Sequence, residues 1–370
     1  MRAWPLAVAL AACGANHGVG PQPDGSAPGS DAADSGIDAP APPGWTELIA
    51  RNWSVDFAGG QGYRCRQIKV DQDMWISAFR ADMATGTHHM FLTINLNQTQ
   101  TQTGNIDDPQ VCNQTFGVAD GQLLYGASVG PMNAADLQFP AGDAVHIAAG
   151  SYIVLNLHVF DETDNPISGY SRVLVQTVPQ GEVVHELGAV FAGTKNIDIP
   201  ADGMVHPVVG TCPGPRSQDY HILALWPHMH QFGTHAHLTI QDSVTNAVDV
   251  VLDKDFSFDD QTNDMITERV LKANDSLQFD CSYQVPGTYC DSGTPCKYGT
   301  CQTNHMCSQQ CIYNDPNNSY CVHGGCSADN MCHVGYGESF LGEMCYAAMY
   351  MWPAKGDTYG CVNDNFPIEL

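Results

Sequence analysis

From Trp45 onward the chain alternates between short apolar runs and breaks made of Gly, Pro, Asn and Asp. The runs MWISAFRADM, HHMFLTINLN, GSYIVLNLHVFD, SRVLVQTVP, HILALWPHMH, HAHLTIQDS, AVDVVLDKD and DSLQFDCSYQ have the length and β-branched or aromatic content of strands. No long segment carries a helical period of 3.6 residues. Many short strands over a chain of this size predict an all-β fold of jelly-roll-type β-sandwiches, two in tandem. The stretch PQGEVVHELGAVFAGTKNIDIPA marks a break that divides the body into an N-terminal sandwich, 45–182, and a C-terminal one, 183–370. No apolar run reaches the length of a membrane-spanning helix.

Ahead of the body the pattern changes. Residues 14–44 are Gly, Pro, Ala, Asp and Ser with almost no large apolar side chain, which predicts a disordered tether. Residues 1–13, MRAWPLAVALAAC, combine a basic Arg2 with a short apolar stretch and end in Leu10-Ala11-Ala12-Cys13. That tetrad resembles a bacterial lipobox and predicts a lipoprotein signal peptide with Cys13 as the lipidated residue. The expected location is that of an exported lipoprotein, at the outer membrane, periplasm or cell surface, touching the membrane through its lipid alone. Of the 15 cysteines, the 14 left after Cys13 form an even set, as a fully paired framework in an oxidising compartment requires.

Eight of those cysteines crowd into residues 290–332, at Cys290, Cys296, Cys301, Cys307, Cys311, Cys321, Cys326 and Cys332. CKYGTCQTNHMC and CVHGGCSADNMC share the spacing C-x4-C-x5-C, an internal duplication. So little apolar content calls for covalent staples, and four disulfides are expected there. A zinc module is the competing reading, but the spacing is not that of zinc knuckles.

The net charge of −26 leaves no basic patch to meet phosphates and argues against nucleic-acid binding. The 15 histidines are unevenly placed. His88 and His89 are adjacent at a strand start, and neighbours on a regular strand point to opposite faces. Either the backbone at 86–89 is irregular or the two rings reach a metal through different nitrogens. His228 and His230 form a His-x-His pair, which on a strand puts both imidazoles on one face, about 7 Å apart at the Cα atoms. His235 and His237 form a second such pair. In GESFLGEMCYAAMYMWP, Met349 and Met351 read as core, while a thioether added to two imidazoles would select copper, Cu(I) in particular.

Four motifs in order, THHM, NLH, HMHQFG and GEMC, are similar to those of the ascorbate-dependent type II copper monooxygenases, the family of peptidylglycine α-hydroxylating monooxygenase and dopamine β-monooxygenase. The resemblance spans the body from about Trp45 to the C-terminus apart from the cysteine-rich insertion. It implies two jelly-roll sandwiches, each holding one of two copper ions. His88, His89 and His158 would hold the first; His228, His230 and Met344 would hold the second, where dioxygen and substrate react. It also implies disulfides Cys65–Cys112, Cys212–Cys361 and Cys281–Cys345. Ascorbate or another small reductant and O2 would be co-substrates, and activity would fall below about pH 6, where imidazole protonates.

The chain departs from that pattern at the substrate end. Where the peptide-amidating member has an arginine two positions before His-x-His, this chain has Trp226. The asparagine and tyrosine after MC are Tyr346 and Ala348 here. The fork that grips a carboxylate is absent, so the resemblance implies a monomeric enzyme hydroxylating an aliphatic C–H of a small, non-carboxylate substrate, with Trp226, Tyr346 and Ala348 near it. Two other classes stay open: a copper-storing surface lipoprotein without turnover, and a cell-surface binding protein that recognises its partner through the cysteine-rich insertion.

Overall fold

The strand Cys345–Trp352 is buried along almost its whole length, and its side chains divide between two hydrophobic cores. Ala347, Met349 and Met351 pack into one core, whereas Ala348 and Tyr350 pack into the other. Such a strand cannot alternate apolar with polar residues, because neither face meets water. This explains the unbroken apolar run read from the sequence, and Met349 and Met351 are core residues as expected.

A computed structural model describes residues 40–55, 61–95, 101–108, 111–112, 121–128, 136–160, 166–212, 218–285, 295–296, 299–300, 333–337, 342–354 and 361–362. The expected signal peptide with Cys13, the expected tether up to residue 39 and nearly all of the cysteine-rich insertion lie outside the described residues. So do the side chains of its eight cysteines, and their pairing with them. The body, Gly36–Leu370, is one compact unit.

The architecture is an all-β sandwich, as the sequence predicts. A five-stranded sheet runs in the order Gly104–Ile106, Gln61–Lys69, Tyr152–Phe160, Thr87–Asn95, Gly121–Ser128. A four-stranded sheet runs Val205–Cys212, Ser276–Gln284, Gly233–Gln241, Val248–Asp255. The largest sheet belongs to both halves of the chain. Its path is Thr46–Val55, Ile167–Val178, Met74–Asp82, Asp143–Ile147, His185–Thr194, Cys345–Trp352, Tyr220–His228, Asp264–Leu271. The crossing at the expected boundary is a parallel pairing of His185, Glu186 and Leu187 with Asp143, Ala144 and Val145. The halves are thus joined by backbone hydrogen bonds and by a shared core, since Leu187, Ala189, Leu223, Ala224 and Trp226 pack with the N-terminal cluster.

Every strand expected from its apolar run is present. Among the strands that the runs did not announce are two edge strands. Val205–Cys212 carries Pro207 and Gly210, which weaken the strand pattern in the sequence, and it alternates exposed with covered residues. Asp264–Leu271 ends the largest sheet and is mostly exposed.

Candidate metal centre

The strand Thr87–Asn95 follows a turn in which Gly86 adopts φ +93°, a conformation open to glycine. Its pairing with Tyr152–Phe160 slips at the first step. Thr87 faces Val159, but His89 already faces His158, so His88 is the extra residue of a β-bulge. The irregular backbone expected at 86–89 is present, in an interior strand rather than at a sheet edge. The bulge lets both rings converge: His88 Nδ1 and His89 Nδ1 are 3.3 Å apart. The alternative, approach through different nitrogens, is not needed.

His158 completes the group from the neighbouring strand. As the direct cross-strand partner of His89 it shares the same face. One ring nitrogen from each of His88, His89 and His158 lies within 4.8 Å of the others. Ring centroids are 5.4 Å apart for His88–His89, 4.9 Å for His89–His158 and 5.8 Å for His88–His158. Tyr63, opposite His158 on its other side, stacks on that imidazole at 4.8 Å and 18°. Burial, reinforced by the neighbouring rings, holds His89 well below the ordinary histidine value and lowers His158 to about 3. Burial also lowers His88. All three are therefore neutral near pH 7, the form that ligates metal.

The second group is built differently. Tyr220–His228 ends at its first histidine, and His230 lies in the turn that closes when Gly233 N–H donates to His230 O. The expectation that one strand would present both rings on one face is corrected: a strand end and a turn present them at 5.3 Å and 85°. Hydrogen bonds fix each ring. His228 Nδ1 donates to Gln261 Oε1 at 2.7 Å, and His230 Nδ1 donates to Gly342 O at 2.9 Å. Both rings then keep an unprotonated Nε2, because a neutral imidazole carries one N–H. Burial lowers His228 to about 3, with a further push from His230.

Glu343 ties this turn to the segment that carries Met344. Its carboxyl is fully buried and accepts from His230 N–H and Phe232 N–H, both at 2.8 Å. Burial raises its pKa to about 8 against the pull of those backbone donors. Met344 follows at once, half-buried, with its carbonyl accepting from Tyr283 Oη at 2.5 Å. The next residue, Cys345, is bonded to Cys281. A thioether is thereby held on the segment that Glu343 ties to the two-imidazole turn.

The two groups meet. His89 and His228 have ring centroids 5.9 Å apart, and Phe91 touches both, at 5.1 Å and 5.9 Å. Phe258 lies 4.2 Å from His88 and 6.2 Å from His230. His89, His158, His228 and His230 are 2–4% exposed.

Trp226 and Ala348, expected near the substrate, are both fully buried. Trp226 stacks on His228 at 4.9 Å and 23° and fills the space above Gly126, where an added Cβ would meet its ring at 2.8 Å. Tyr346, the register partner of His228, is 8% exposed and lies edge-on to Phe191 and Tyr336. His235 and His237 have acidic partners instead: His235 pairs with Asp253 and Asp255, and His237 pairs with Asp280.

Cys65–Cys112 and Cys281–Cys345 are formed, with Cα separations of 5.5 Å and 5.8 Å. Cys212 is disulfide-bonded; the side chain of Cys361, its expected partner, lies outside the described residues.

The donors fit a metal of the copper type: neutral imidazoles, convergent nitrogens in the first group and, on the segment that Glu343 ties to the second, a thioether. Four supporting residues escaped the sequence reading. Glu343 had a signal, as the acid directly ahead of the apolar stretch MCYAAMYMWP, since a buried carboxyl needs partners. Gln261, Phe258 and Tyr63 had none, because a loop glutamine or a strand aromatic is common. No protein-family model matches the chain, and no curated protein matches it.

Proposed function

We propose that this chain is a copper- and reductant-dependent monooxygenase that hydroxylates an aliphatic C–H bond of a small, non-carboxylate substrate with O2. The observation that carries the reading is the enclosed cluster of five imidazoles, three gathered at a β-bulge and two at a turn that Glu343, the residue before Met344, holds by hydrogen bonds. Bound copper supplies one-electron transfer and activation of dioxygen. The chain's own residues prepare the ligands. Burial keeps the imidazoles neutral, Gln261 and Gly342 hold the His228 and His230 tautomers, and Tyr63 fixes the His158 ring. Three imidazoles suit an ion that cycles between oxidation states, while two imidazoles with a thioether favour the reduced one. Ascorbate or a similar small reductant serves as electron source. The disulfides agree with an exported chain, and we take Cys13 as its lipid anchor.

A second reading, copper retention without turnover, draws on one observation: four of the five histidines are shut from solvent. Metal analysis followed by an oxygen electrode decides. The enzyme reading predicts bound copper and ascorbate-dependent oxygen consumption that Met344→Ile abolishes. Retention predicts the copper alone, and a chain that binds no copper contradicts both.

A further inference from the structure

We propose that the outer face of the four-stranded sheet carries a further site for a divalent transition-metal ion, Zn(II) or Cu(II), made by His235, His237 and Asp253. None of these residues is among the five imidazoles described above, so the inference goes beyond the copper reading. The strand geometry expected of His228 and His230 is realised here instead. His235 and His237 are alternate residues of Gly233–Gln241, about 7 Å apart at the Cα atoms, and Ala236 between them is fully buried on the opposite face. Their side chains are 35% and 31% exposed, so an ion can reach both from solvent. The flanking strands supply carboxylates on the same face. His235 lies between Asp255 and Ser282 in the register, and His237 lies between Asp253 and Asp280. Asp253 is the central member: it stands directly opposite His237, yet its Oδ1 accepts from His235 Nε2 at 2.7 Å. One carboxylate is thereby within reach of both rings.

The other nitrogen of each ring is already held. His235 Nδ1 donates to Asp255 Oδ1 at 3.1 Å, and His237 Nδ1 donates to Asp280 Oδ2 at 3.3 Å. Pairing Nδ1–H with a carboxylate is the arrangement that presents Nε2 to a metal. Gln278 Nε2 donates to both oxygens of Asp280 at 3.0 Å and steadies that carboxylate. Charge points the same way. Nearby acids meet cations: Asp249 pairs with Arg269, Asp264 with Lys254 and Asp242 with Lys272. Among the described residues, Asp253, Asp255 and Asp280 have no lysine or arginine partner; their ion pairs are with the two histidines alone. In the metal-free chain His235 has a carboxylate at each nitrogen, which only a ring protonated on both satisfies. A divalent ion takes the place of the Nε2 proton and bridges His235 to Asp253, with His237 Nε2 as third donor and water completing the shell. Two imidazoles and a carboxylate suit Zn(II) and Cu(II) over Mg(II) or Ca(II), which prefer oxygen alone.

The test titrates Zn(II) into the full metal-free chain by isothermal calorimetry and repeats the titration on the double variant His235→Gln, His237→Gln, checked for folding by far-ultraviolet circular dichroism. The double variant is expected to bind one Zn(II) fewer per chain and to keep the affinity of any other ion. Asp255→Asn leaves all three ligands in place and removes only the carboxylate behind His235; it is expected to weaken that same ion about 10-fold. Equal stoichiometry in the wild-type chain and the double variant overturns the inference, as does a wild-type chain that binds no Zn(II). Both chains keep the same five imidazoles, so the difference between them reads the outer face of the sheet and not the copper reading.

Discussion

The two histidine groups use opposite means to reach the same chemical state. The first is set by the sheet: a bulge places His88 and His89 together, strand register brings His158 opposite, and Tyr63 stacks behind it. The second is set by side-chain hydrogen bonds from distant segments, with Gln261, Gly342 and Glu343 reaching a strand end and a turn. A group fixed by backbone register resists single side-chain changes, because the ladder of hydrogen bonds is shared among many residues. A group fixed by a few polar contacts depends on each of them. The reacting ion of the proposed enzyme would sit in the more adjustable group.

That contrast can be broken most forcefully at Met344. Met344→Ile is expected to abolish ascorbate-driven turnover while one copper per chain remains on the first group; retention of turnover with both ions in place would refute the ligand assignment. Next comes Glu343→Gln, which loses one acceptor for the two backbone donors of the turn. Copper affinity of the second group drops about 10–100-fold, in line with outer-shell losses, and competition titration against a chelator reads it. An equal loss at the first group would erase the distinction drawn here. Gln261→Ala frees the His228 tautomer and costs that group about 10-fold, whereas Tyr63→Leu touches only the first.

The metal-free protein carries a smaller, pH-dependent signature. His158 and His228 have folded values of about 3 against an ordinary 6.5. The unfolded chain therefore binds more protons between those values, and stability falls as pH drops below about 6.5. Glu343 has the opposite sign. Its folded value of about 8 lies above the ordinary 4.5, so its contribution is full below 4.5 and is lost as pH rises through 8. Urea unfolding across pH should show a maximum between the two limbs, and Glu343→Gln should flatten the alkaline one. An unchanged alkaline limb in that variant would show that Glu343 is not the titrating group.

Gly126 tests the junction at the scale of packing. A methyl group there meets Trp226 at 2.8 Å to 3.0 Å, so Gly126→Ala is expected to lower stability by about 1–3 kcal/mol. A neutral substitution, measured by thermal unfolding, would mean that the indole can move away from His228.

Much of this was legible in the chain. Adjacent histidines at a strand start already demand an irregular backbone, and the bulge at His88 meets that demand. The run around Met349 and Met351 gave away a strand buried on both faces. What could not be read depends on which surfaces touch. No periodicity reveals that His89 lies against His228, or that a glutamine from an acidic loop caps a ring 33 residues before it. Nor does the chain announce that Trp226 is fully buried with its ring packed over Gly126. Val205–Cys212 was hidden by its proline and glycine, residues that strands carry less often.

The central claim is that the five imidazoles and Met344 carry copper for oxygen chemistry. The most direct measurement is copper content of the purified full chain together with its oxygen consumption on addition of ascorbate. The account predicts two coppers per chain and oxygen consumption that disappears in Met344→Ile. A chain without stoichiometric copper, or one that holds two coppers and consumes no oxygen with any small candidate substrate present, would contradict it.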